Sequence, residues 1–131
     1  MPIESRLNEV SANAAPNGYA HAVVTTGRTA HVSGQVALAA DGQLVGPDDL
    51  RAQTGQCLRN LENILTELGA TWHDVVRFGW YLVNDGDVLV VREVRDRFLG
   101  DAPKPASSLV RVPGLFRPDL LVEVDAVVAL P

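Results

Sequence analysis

A single cysteine, Cys57, leaves this chain no intrachain disulfide and no cysteine-rich metal site, and nothing in it calls for an oxidising compartment. The cytoplasm is therefore the expected location. Histidine is scarce too: His21, His31 and His73 lack metal-ligand spacing and read as structural, so no metal is expected. Basic residues number 11 against 16 acidic ones, giving a formal charge of -5 and a pI of about 5.0. That balance argues against a nucleic-acid partner, because phosphate binding needs a concentrated basic surface. Apolar runs stay far short of the roughly 20 residues that a membrane span needs, and the opening MPIESRLNEVSANAAPNG has no signal-peptide core. A soluble protein is expected. No internal repeat is found, which excludes a solenoid or propeller.

What the chain does have is a core: hydrophobic residues make up 47% of its 131 positions. Chains of about 100–200 residues normally form one domain, so 1–131 is read as a single folded unit, with only the first few residues and Pro131 expendable. YAHAVVTT and TAHVSGQV are β-type runs separated by Gly27-Arg28, a pair that predicts a hairpin. QLVG, after the Asp41-Gly42 turn, is a candidate for a brief third strand. Pro47, Asp48 and Asp49 then suit a helix N-terminus. Leu50, Cys57, Leu58, Leu61, Ile64, Leu65 and Leu68 repeat at 3.6-residue spacing as far as Gly69, a C-terminal stop. Cys57 lies on that buried stripe and reads as a small core residue.

VVRFGWYLV, residues 75–83, is β-branched and aromatic on both faces, which predicts a strand whose second face is covered, most simply by another subunit. A second helix carries Val88, Val91, Val94 and Phe98 inward and stops at Gly100. Arg92, Arg95 and Arg97 fall off that stripe and, interleaved with Glu93 and Asp96, read as a solvated face. After Pro103-Lys104-Pro105 comes a strand opening on Ser107-Ser108. The last strand runs from Leu120 to Leu130: its even positions are wholly apolar, while its odd positions place Glu123 and Asp125 together on the opposite face. The order β-β-(β)-α-β-α-β-β predicts an α+β architecture with two helices on one face of a mixed sheet.

Tyr19 after Asn17-Gly18, VSGQV at 32–36, AQTGQCLRNLENIL at 52–65, DVVRFGWYLVND, a helix closing on RFLG, PKPASS and VEVDAVVA follow one another over nearly the whole chain. In that order they resemble the Rid (reactive intermediate deaminase) family, also called the YjgF family. The resemblance implies a chorismate-mutase-like fold, a homotrimer, and ligand sites in the clefts between subunits. It also implies hydrolysis of enamines and imines to ketoacids and ammonia, with no cofactor. In the deaminases an arginine of a P-A-R-S segment grips the substrate carboxylate through two parallel hydrogen bonds, a geometry guanidinium offers and lysine does not. The glycine of the SGQ segment exposes its backbone beside the ligand next to the serine, a tyrosine near the N-terminus closes the pocket, and the first acid of the final strand positions water. Carried over, these are Ser33 and Gly34, Tyr19, and Glu123 as the catalytic group; the arginine becomes Ser107.

That departure removes charge-assisted hydrogen bonds of roughly 1.5–3 kcal/mol each from any carboxylate in the cleft. Many deaminase members also place a cysteine two residues on, where this chain has Leu109. Arg111 follows on the same strand face about 7 Å further along, at about 3.3 Å per residue. It is a candidate replacement cation, against the alternative of an exposed or Asp125-paired arginine. The expectation is thus a Rid-type protein binding a small organic metabolite, possessing little ordinary 2-imino-acid deaminase activity. Two readings stay open: an imine or enamine hydrolase acting through Glu123, and a non-catalytic binding or accessory protein of a metabolic pathway. The ribonuclease activity sometimes assigned to the family is disfavoured by the acidic balance.

Overall fold

The computed structural model describes residues 2–131. The first helix, α1 (Leu50–Glu67), starts where the Asp49 carboxylate accepts a 3.0 Å hydrogen bond from the Ala52 N–H, and it stops before Gly69, whose φ of 69° lies in the left-handed region. Its buried stripe contains Cys57, Leu58, Leu61 and Leu65, as the periodicity predicts, and also two polar residues, Gln53 and Thr54. Both polar side chains are hydrogen-bonded. Thr54 donates to the Leu50 carbonyl, while Gln53 donates to the Gly46 and Asp119 carbonyls and accepts from the Leu121 N–H. Gln53 thereby ties the start of α1 to the chain entering the last strand. Burial pushes the Cys57 thiol up to about 12, consistent with an inert core residue.

The second helix, α2 (Val88–Leu99), is capped by Asp87 and ends at Gly100, with a φ of 56°. Both helices pack on one face of a four-stranded mixed sheet. Chain order gives β1 (Ile3–Leu7), β2 (Ala22–Thr25), β3 (Thr29–Gln35), β4 (Val75–Val83), β5 (Ala106–Val112) and β6 (Val122–Ala129); the spatial order of the main sheet is β3-β6-β4-β5. Only β4 and β5 run parallel, joined by α2. Phe78, Trp80 and Leu82 of β4 and the even-numbered residues of β6 are buried under the helices; a register shift between Val75 and Arg77 buries Val75 and leaves Val76, expected on the inner face, only half-buried. A short 3₁₀ turn, Trp72–Asp74, leads into β4 and is closed by reciprocal Thr71 and Asp74 hydrogen bonds.

Three expectations are corrected. The 19–36 region turns at Gly27 (φ 85°) but forms no paired hairpin: β2 pairs with β1, and β3 pairs with β6. The Leu130 N–H donates to the Arg28 carbonyl at the start of that second pairing. Turn residues set where a chain reverses, while the apolar face of β6 decides which strand completes its edge. The opening residues are not expendable, since Ile3–Leu7 is β1. QLVG contributes one isolated bridge, Leu38 to Leu44, in place of a strand.

Candidate functional site

Strand β5 is an edge strand, and the space between it and α2 is a cavity of about 270 Å³. Register fixes what faces it. Ser107 lies beside Phe78 and Leu109 beside Trp80 in the parallel β4–β5 pair, so both point toward the helices, whereas Ser108 and Val110 point to the other face. Ser107, Leu109 and Trp80 form the sheet wall; Val88, Val91, Arg92 and Arg95 form the helix wall. Asn17 and Tyr19 close the end. They are held there because Ala20 bridges to Ala106 and its N–H donates to the Pro105 carbonyl at 2.9 Å. The Tyr19 ring meets His21 edge-on at 5.7 Å.

The helix wall departs from the sequence reading. Arg97 is exposed and ion-pairs with Glu93, as a solvated face requires, but Arg95 is only 6% exposed and Arg92 is half-buried. Positions 88, 91, 92 and 95 are spaced three, four and seven apart, hence share one helix face, and that spacing was the available signal. The two arginines were obscured by the stronger Val88-Val91-Val94-Phe98 stripe. Gly18 explains how Arg95 fits: its φ is 78°, and a Cβ there would collide with the Arg95 guanidinium. Arg95 Nε and Nη2 bond to Asp96 Oδ1, at 3.0 and 2.9 Å.

The remaining predicted residues lie elsewhere. Glu123 and Asp125 project from β6 onto the face of the sheet away from the helices, alongside Gly79 and Tyr81 of β4. Ser33 and Gly34 sit in a bulge of β3, between the Val32–Ala126 and Gln35–Val124 pairs. Gly34 is where the Glu123 side chain lies: a Cβ on Gly34 would run into the carboxylate. Burial first, and the charge of Asp125 second, push the Glu123 carboxyl above the ordinary glutamate range. The Tyr81 hydroxyl donates to Asp125 Oδ2 at 2.8 Å and is itself held above its usual range by that bond.

Arg111 joins neither group. It is exposed, and its Nη1 donates to the Asn84 and Gly86 carbonyls at 3.0 and 2.7 Å, closing the turn before α2. Within the chain the predicted residues therefore form two groups on opposite faces of one sheet: Tyr19, Ser107 and Leu109 on the helix side, Ser33, Gly34 and Glu123 on the other.

A family model described as Endoribonuclease L-PSP matches residues 9–130. The chain belongs to the Rid/YjgF family. A crystal structure of the Rid-family protein YyfB from Yersinia pestis, itself titled as of unknown function, is 39% identical to this Rid protein. It superposes with a TM-score of 0.86, covering 99% of this chain and 100% of that one. Rv2704 from Mycobacterium tuberculosis, a YjgF/YER057c/UK114 family member, is 35% identical with a TM-score of 0.67 over 86% of each chain. The RutC family protein slr0709 of Synechocystis is 32% identical over 120 residues, 89% of this chain and 90% of that protein. The two solved structures share the α+β arrangement of two helices on a mixed sheet.

Proposed function

We propose that this Rid protein binds a small organic metabolite in clefts between the subunits of a homotrimer and hydrolyses an imine or enamine there, with Glu123 activating water. The observation that carries the reading is the division of the site residues between two sheet faces. The cavity lies beside β5 at the edge of the sheet, and Glu123 stands on the uncovered face of the same sheet. An unlike-surface contact, the Glu123 face of one copy against the β5 edge of the next, brings the half-sites together and closes into a ring when repeated. Three copies give three equivalent clefts.

In such a cleft the Glu123 carboxylate accepts a proton from water as the water oxygen adds to the C=N carbon and the π electrons move to nitrogen. Return of that proton to nitrogen gives a neutral carbinolamine; transfer of its hydroxyl proton to nitrogen, again through Glu123, then breaks the C–N bond, releasing ammonia and leaving the carbonyl product. A carboxyl raised by burial is a stronger base than a free one, which suits this step. Ser107 supplies a hydroxyl where the family's deaminases place a guanidinium, so a small 2-imino acid lacks its usual anchor on β5.

The test is imine loss followed on freshly generated iminopyruvate and on bulkier imines. Iminopyruvate should decay little faster than in buffer, and a processed imine should lose its acceleration with Glu123→Gln while still protecting the protein in a thermal-shift assay. If ligands stabilise both proteins and neither accelerates any imine, the protein is a binder without turnover.

A further inference from the structure

The cavity beside Ser107 is rich in donors and, among the described residues, has no carboxylate in its lining. Arg92 and Arg95 face it from α2. Trp80, only 2% exposed, lines it from β4, and its buried indole Nε1–H has no hydrogen-bond partner among the described residues. Ser107, Tyr19 and Asn17 add a hydroxyl, a phenol and an amide. A buried donor without an acceptor is costly unless something else accepts from it, so this group points to a ligand with acceptor atoms.

Charge accounting sharpens the point. Of the two acids on α2, Glu93 is engaged by Arg51 and Arg97. Asp96 lies between Arg95 and Lys104, taking Nε and Nη2 of Arg95. Arg95 Nη1 is left over, and Arg92 makes no ion pair or side-chain hydrogen bond among the described residues. Arg92, Arg95 and Lys104 thus outnumber the single Asp96 at this end of the cleft, inside a protein whose net charge is -5. An uncompensated cationic wall suits an anion, and the apolar Val88, Val91 and Leu109 suit a hydrocarbon body attached to it.

We propose that Arg92 and Arg95 of α2 form the anion-binding wall of this cleft, taking over from β5 the cation that Ser107 does not supply. The cleft then takes a small organic acid whose carboxylate is presented to the helix and not to strand β5. The inference rests on the reading that this cavity is the ligand cleft. It names the ligand class as a carboxylate with an apolar body and makes Arg92 the specificity-determining residue.

The isosteric pair phenylacetate and phenylacetamide separates charge from shape. Titrated into the intact protein and followed by amide chemical shifts or calorimetry, phenylacetate should bind at least ten-fold more tightly than phenylacetamide, and its affinity should fall with added salt. Arg92→Gln should remove most of that preference, and Arg92→Lys should keep part of it. Arg92 is half-buried at the cavity wall, so these variants should fold; Arg95→Gln serves as a second probe of the same wall. Equal binding of acid and amide, or a preference unchanged in Arg92→Gln, overturns the anion wall while leaving the cleft as a small-molecule site. Binding of neither compound overturns both.

Discussion

At the scale of single residues, Glu123 carries opposite consequences for stability and for chemistry. Its carboxyl is raised by burial and by Asp125, so between the ordinary glutamate pKa and the raised one the folded subunit holds more protons than the unfolded chain. The favourable contribution is complete below the ordinary value and is lost as pH rises through the raised one. Glu123→Gln removes that loss: denaturation followed against pH should give a flatter curve, with the variant gaining on the wild type toward neutral pH. Imine hydrolysis through Glu123, as proposed, should run the other way, with turnover rising with pH as the base deprotonates. Tyr81 offers a contrasting test because its hydroxyl donates to Asp125 Oδ2 across the same face. Tyr81→Phe leaves that half-buried carboxylate one donor short and should cost about 1–2 kcal/mol in urea denaturation. It should alter ligand binding less than Glu123→Gln does. A variant as stable as the wild type would mean that solvent replaces the phenol at no cost.

At the scale of elements, the parts legible in the sequence were those fixed by local periodicity. The stripe of α1, the Val stripe of α2 and the strict alternation of β6 each appear in the fold because a 3.6- or 2-residue repeat determines which side chains share a face. Pairing was not legible, since β3 finds its partner at the far end of the chain and β2 finds its own at the beginning. The segment around Ser107, singled out through its resemblance, does line a cavity. The helix opposite it was not singled out, because alternating charges at 92–97 look solvated whether or not one of them turns inward against Gly18. Gln53 illustrates the same blindness in α1: a glutamine on an apolar stripe carries no sign of three backbone partners. With the Gly46 and Asp119 carbonyls and the Leu121 N–H all dependent on it, Gln53→Ala should destabilise the protein by about 3 kcal/mol and loosen the approach to Glu123. Chemical denaturation reads the first effect, and hydrogen exchange at Leu121 reads the second.

At the scale of the molecule, the sheet is finished on one side only. Two helices cover Phe78, Trp80 and Leu82 of β4 and the even positions of β6, while the opposite face holds Tyr81, Glu123, Asp125 and Val127 only half-buried and leaves Val110 of β5 49% exposed. Apolar side chains alternating with a carboxylate that burial has already raised make a poor solvent surface and suit burial against a second copy of the chain. A face-to-edge ring of three would cover this surface and unite Glu123 with the neighbouring cavity. Sedimentation equilibrium should therefore give three times the 14.0 kDa chain mass. Val110→Asp places a charge where the single subunit tolerates it, so the circular dichroism spectrum should stay that of the wild type while the mass falls toward one chain. Phenylacetate binding should weaken together with assembly, because half of each cleft then departs with the neighbour. Should the variant stay trimeric, the covered face is not this one; should the dissociated variant bind as tightly as the wild type, the cavity works within one subunit and Glu123 has no part in holding its ligand.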